Sequence, residues 1–184
     1  VAHLNNIFFI GLMGAGKTTI GRLLAKQLGL DFYDSDVEIE RKTGVKIPLI
    51  FELEGEVGFR KRETAIIEEL SQLKNIVMAT GGGAVLLPEN RVFLKNNGTV
   101  IYLRAKVNDL YQRTRHDRSR PLLQGGNAKQ KLERLYRERD PIYTSLADYI
   151  VDTGAQSANE ITNTIEQLIM KQGTAKAPEA TQQD

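Results

Sequence analysis

Short apolar runs alternate along this chain with longer stretches whose apolar residues recur at helical spacing. Asn6–Ile10 is apolar at almost every position and too short for a helix, which predicts a strand buried on both faces. The amphipathic stretch 19–28 predicts a helix, 31–34 a short second strand, and 37–42 the start of a helix stopped by Gly44. Apolar residues at Ile66, Ile67, Leu70 and Leu73 give 59–73 a helical period. Strands are predicted at 76–79 and 99–103, the latter followed by a helix over 107–114. Residues 115–127 have no period and contain Pro121, Gly125 and Gly126, so they predict a loop. A helix over 128–139 should stop before Pro141. The last strand is predicted at 149–151 and the last helix at 158–171, with a polar, disordered tail over 172–184.

Five short apolar strands joined by helices imply an α/β fold whose parallel sheet is covered on both faces. In such sheets ligands bind beyond the carboxyl ends of the strands. The segments that follow the first three strands are the unusual ones: Gly11 to Thr18, Asp34-Ser35-Asp36, and Gly81-Gly82-Gly83. All three should therefore meet at one edge.

Composition narrows the chemistry. A chain of 184 residues with 41% hydrophobic and 26% charged residues fits one soluble domain, here 1–171 with a lid at about 115–127. Net charge is +2, and the arginines between Arg113 and Arg120 lack interleaved aromatics, which favours a small anionic ligand over nucleic acid. Cysteine is absent, excluding disulfides and thiolate chemistry, and only His3 and His116 could supply imidazole. No apolar run reaches membrane-spanning length, and the N-terminal residues lack a signal-peptide layout, so a cytoplasmic protein is expected.

Gly11-Leu12-Met13-Gly14-Ala15-Gly16-Lys17-Thr18 is a full phosphate-binding loop between a strand and a helix. Its glycines let backbone N–H groups wrap a phosphate, Lys17 brings charge to the β- and γ-phosphates, and Thr18 offers a hydroxyl to Mg²⁺. Asp34 and Asp36 could divide the roles of metal-side carboxylate and proton acceptor from an alcohol, or one could cap the next helix. The triple glycine allows close approach of backbone to a ligand, although a plain flexible turn has the same composition. Arg60, Arg120 and Arg139 are candidates for bidentate contacts to carboxylate or phosphate, Arg120 from a mobile lid.

Together these segments resemble the shikimate kinase family. The resemblance runs from Gly11–Gly21 through Phe32-Tyr33-Asp34-Ser35-Asp36, Ile50-Phe51, Gly55-Glu56 and Phe59-Arg60. It continues through Thr80 to Val85, Arg120-Pro121-Leu122-Leu123 and Arg139-Asp140-Pro141-Ile142-Tyr143, covering about residues 5–170. It implies a five-stranded sheet in order 2-3-1-4-5 and transfer of the γ-phosphoryl of ATP to the 3-hydroxyl of shikimate, on the route to chorismate. It implies that Gly14, Ala15, Gly16, Lys17, Thr18, Thr19, Arg113 and Arg120 bind ATP. Asp36, Arg60, Gly81, Gly82, Gly83 and Arg139 would bind shikimate. Asp36, Lys17 and Arg120 would be catalytic, Thr18 and Asp34 (through water) would hold Mg²⁺, and Glu63 would orient an arginine. The expected partners are shikimate and ATP alone, with no nucleic acid or membrane, and the chain is expected to be a monomer.

Two other readings stay open at this stage. Another kinase of the same fold, such as a gluconate kinase, would share the phosphate loop but need a different acceptor pocket. A nucleotide-dependent regulatory protein would have no use for Asp36, Arg60 and Arg139 together. A GTPase is disfavoured because no Asn-Lys-x-Asp segment is present.

Overall fold

In a computed structural model of the chain, residues 5–117 and 126–175 are described. β1 (Asn6–Ile10) lies at the centre of a five-stranded parallel sheet, between β3 (Ile76–Ala79) and β4 (Gly98–Arg104). β2 (Asp31–Asp34) lies beyond β3, and β5 (Tyr149–Asp152) beyond β4, which gives the expected order 2-3-1-4-5. Every residue of β1 and β3 is buried. Successive strand side chains point to opposite faces, so both faces of the sheet centre are covered. Ile7, Phe8, Phe9 and Ile10 are fully buried, each worth roughly 1.5–3 kcal/mol of transfer energy.

Among the described residues, seven helices do the covering. They are α1 (Lys17–Leu28), α2 (Ser35–Thr43), α3 (Ile47–Ser71), α4 (Pro88–Asn97), α5 (Val107–Thr114), α6 (Ala128–Leu146) and α7 (Ala158–Ala175). α1 packs on α7, α3 on α2 and α4, and α5 on α6. Register puts Asp34 level with Ala79, and Ala79 level with Phe9, so three chain segments leave the sheet at one height.

Several boundaries differ from the sequence pattern. α1 and α2 each start two residues early, because Gly16 and Asp34 form their N-caps. α3 begins at Ile47 rather than Phe59, with Pro48 in its first turn. Its first arm hides from the periodicity because Leu53 and Val57 are exposed, so apolar spacing there does not report burial. Gly55, at φ 70° and ψ −177°, breaks the helix between the two arms. The apolar pattern does not mark α4, because only Asn90 and Leu94 of it are buried. α6 does not stop before Pro141 but continues to Leu146. Proline in a helix interior costs roughly 3 kcal/mol or more, and burial of Tyr143 and Leu146 beyond it offsets that cost. α7 runs to Ala175, four residues past the expected end.

Candidate active site

The phosphate loop leaves β1 and turns into α1 through glycines that no other residue would replace without strain. Gly16, at φ 98°, is the N-cap of α1. Gly14 has φ 83°, and a Cβ there would lie 2.7 Å from Thr114 Cγ2. The turn leaves the first N–H groups of α1 aimed at whatever sits before them, and that end of a helix favours an anion. Ala15 is buried, so it contributes backbone, while Thr19 is exposed on the first turn of α1. Lys17 is almost buried, and its Nζ donates to Gly11 O (2.6 Å) and Leu12 O (2.9 Å), which holds the cation across the loop. Arg113, from α5, donates through Nη1 to Gly14 O at 2.9 Å and so sits on the rim of the same loop.

Asp34 ends β2 and serves two neighbours. Its Oδ1 accepts from the N–H groups of Asp36 (3.0 Å) and Val37 (3.2 Å), capping α2. Its Oδ2 accepts from Thr18 Oγ1 at 2.7 Å, which ties the cap to the phosphate loop. Asp34 is thus the acid that caps α2, and the same carboxylate reaches the phosphate loop. Asp36 falls in the first turn of α2 and lines the cleft beside Thr18 and Gly81.

The triple glycine follows β3. A Cβ at Gly81 would lie 2.8 Å from Asp36 Oδ1 and 2.9 Å from Glu63 Oε2. A Cβ at Gly83 would collide with the Arg60 guanidinium, and one at Gly82 would touch Arg139 Nη1 at 3.5 Å. Two acids and two arginines therefore surround this loop, and the lack of a side chain is a packing requirement at Gly81 and Gly83, while Gly82 has room for ordinary contact. Arg60 pairs with Glu63 (2.9 Å) and Glu56 (3.1 Å). Burial works against the Arg60 charge, but Glu63 and Glu56 outweigh it and hold the guanidinium above its ordinary value. Burial pushes the Glu63 carboxyl up, with Arg60 and Arg139 pulling the other way. Arg60 Nε and Arg139 Nη1 are buried and have no hydrogen-bond partner among the described residues.

A cleft of about 580 Å³ runs from the phosphate loop past Asp34 and Asp36 to Gly81 and Gly82. Its far wall is Val37 and Glu40 from α2, Lys46 from the turn that follows, and Ile47 and Pro48 from the start of α3, none of which the sequence singled out as site residues. Arg60, Gly83 and Arg139 are not in the cleft wall; the two guanidiniums lie against the glycine loop instead. Sequence reasoning also missed two fully buried hydroxyls. Ser35 Oγ accepts from Gly81 N–H at 3.0 Å, and the Tyr143 hydroxyl donates to Gly82 O. Arg120 and the Arg-Pro-Leu-Leu segment lie outside the described residues.

A phosphate loop, a carboxylate-bearing second strand and a backbone cradle at one sheet edge define a P-loop phosphotransferase with a second, small-molecule subsite. The family model described as "Shikimate kinase" matches residues 13–170. The chain belongs to the shikimate kinase family. It is similar to the shikimate kinase of Thiobacillus denitrificans, 62% identical over 161 residues and 88% of each chain. With that of Ralstonia nicotianae it shares 52% identity over 178 residues, 97% of this chain and 94% of the other. Among solved structures, shikimate kinase from Acinetobacter baumannii in complex with shikimate superposes with a TM-score of 0.91 at 52% identity, covering 93% of this chain and 96% of that one.

Proposed function

We propose that this cleft moves the γ-phosphoryl group of ATP to the 3-hydroxyl of shikimate, giving shikimate 3-phosphate and ADP. The observation that carries the reading is the convergence of Asp36, Arg60, Glu63 and Arg139 on one glycine loop beside the phosphate loop. Shikimate has one carboxylate and a ring of hydroxyls. Two guanidiniums with unpartnered nitrogens suit the carboxylate, and an acid with backbone N–H groups suits the hydroxyls.

The backbone of Gly14, Ala15 and Gly16, the start of α1 and Lys17 hold the triphosphate, and Arg113 packs at its adenosine side. Lys17 leaves the Gly11 and Leu12 carbonyls to follow the charge on the transferring group. Thr18 gives its proton to Asp34, so its lone pairs face outward, which fits a hydroxyl that ligates Mg²⁺ while Asp34 holds the ion through water. When bound, the ion neutralises charge on the β- and γ-phosphates. Asp36 accepts the proton of the acceptor hydroxyl as the new O–P bond forms and the bond to the β-phosphate oxygen breaks. Arg60 and Arg139 fix the ring by its carboxylate, with Glu63 orienting Arg60. The chain acts as one kinase domain over residues 1–171, as a cytoplasmic monomer, and among the described residues no helix is long and apolar enough to cross a membrane.

Coupled measurement of ADP release with Mg²⁺-ATP tests this, comparing shikimate, gluconate and no acceptor. Release that requires shikimate is expected. Release driven by gluconate, or indifferent to acceptor, would overturn the acceptor assignment and leave the phosphate loop standing.

A further inference from the structure

Three consecutive peptide planes run through the triple glycine, and each is tied at one end. The Gly81 N–H donates to Ser35 Oγ at 3.0 Å. The Gly81 carbonyl accepts from Ala84 N–H at 3.0 Å. The Gly82 carbonyl accepts from the Tyr143 hydroxyl at 2.5 Å. In a planar trans peptide the N–H points away from its own carbonyl, and no peptide here is cis. The N–H groups of Gly82 and Gly83 therefore have fixed directions, opposite to the carbonyls of Gly81 and Gly82. Neither enters a hydrogen bond among the described residues.

We infer that Tyr143 and Ser35 are positioning residues for acceptor binding, clamping the triple-glycine loop so that the Gly82 and Gly83 N–H groups meet the acceptor without reorganisation. The inference rests on the acceptor reading above. Both side chains are fully buried and reach the loop from remote elements, 46 residues away for Ser35 and 61 for Tyr143. The Tyr143 ring packs against the Tyr102 ring, with centroids 4.8 Å apart and planes tilted by 40°, a contact that does not depend on the Tyr102 hydroxyl. Burial pushes the Tyr143 phenol up to about 12, with Arg139 and Arg60 pulling against it, so it stays a donor at neutral pH. Arg139 and Tyr143 stand one turn apart on α6, so a single helix face serves both the arginine and the loop. A loop released from either tie must be ordered by the incoming acceptor. That cost falls on acceptor binding and not on the nucleotide.

Tyr143→Phe and Ser35→Ala, assayed by steady-state kinetics in both substrates and by thermal melting, test the clamp. Tyr102→Phe is the control, since it removes an equally buried hydroxyl that does not touch the loop. Each of the first two variants is expected to raise KM for shikimate about tenfold, as for one lost hydrogen bond, and to leave KM for ATP within about twofold. Tyr102→Phe should lower the melting temperature and leave KM for shikimate unchanged. Unchanged KM for shikimate in both variants, an equal shift for both substrates, or the same rise in Tyr102→Phe would overturn the clamp. Tyr143→Phe keeps the ring and decides the matter if Ser35→Ala does not fold, while unfolding of both would make the hydroxyls structural and overturn the clamp as well. A wild-type enzyme that ignores shikimate would instead overturn the acceptor reading on which the clamp depends.

Discussion

Asp34 and Asp36 sit two residues apart, yet backbone geometry gives them different work. Asp34 ends the strand, and both its oxygens are engaged by Thr18 and by the N–H groups of α2. Asp36 has entered the helix and faces the cleft. Asp36→Asn keeps the shape and removes the proposed proton acceptor. We expect turnover with shikimate to fall by about 10²–10⁴-fold, with nucleotide affinity measured by titration unchanged. Turnover near the wild-type value would assign the proton elsewhere. The placement of Asp34, Asp36, Lys17 and Thr18 at one cleft was legible because it follows from local spacing after a strand. Ser35 and Tyr143 were not, since a hydrogen bond spanning 46 or 61 residues leaves no local pattern. Ser35 in particular is hidden between two acids that explain the motif without it.

At the scale of elements, errors in the sequence reading cluster where a helix is not defined by a buried face. The first arm of α3 exposes Leu53 and Val57, and α4 buries little beyond Leu94 and Asn90. Pro141 reads as a stop in isolation, but packing of Tyr143 and Leu146 carries α6 through it. Strands were legible almost to the residue, because an apolar run of four or five flanked by glycines and acids admits few alternatives. The break at Gly55 sets how the first arm of α3 brings Ile47 and Pro48 to the cleft wall. A Cβ at Gly55 would meet no atom within 4 Å, so any effect of Gly55→Ala comes from backbone strain alone. That variant is expected to lose about 1–3 kcal/mol, read as a lower midpoint in urea unfolding. An unchanged midpoint would show that the arm adopts another backbone path at no cost.

For the whole molecule, alkaline pH is the condition that should unfold it. Burial raises the Tyr143 phenol from 10.0 to about 12, and burial with the neighbouring Asp140 raises Tyr102 as well. In the unfolded chain both ionise near their ordinary value, so between that value and the folded one the native state holds the extra protons. Stability is then full below about pH 10 and falls as pH rises further, by roughly 2–3 kcal/mol for Tyr143 alone. Thermal melts from about pH 8 to about pH 12 should show a level midpoint followed by a decline. Tyr102→Phe should shallow that decline. A midpoint level through the whole range would mean that these phenols ionise without leaving the core.

The level register of Asp34, Ala79 and Phe9 makes the sheet a ruler for the chemistry. Each strand delivers its segment at a height counted in residues, about 3.3 Å apiece. One residue gained or lost in β1, β2 or β3 would shift a phosphate loop, an acid or a glycine cradle by more than a hydrogen bond's length and turn it to the other face. Strand length, ordinarily a matter of stability, is thus part of the catalytic specification. Variation in length is free only at the opposite edge, where the strands begin.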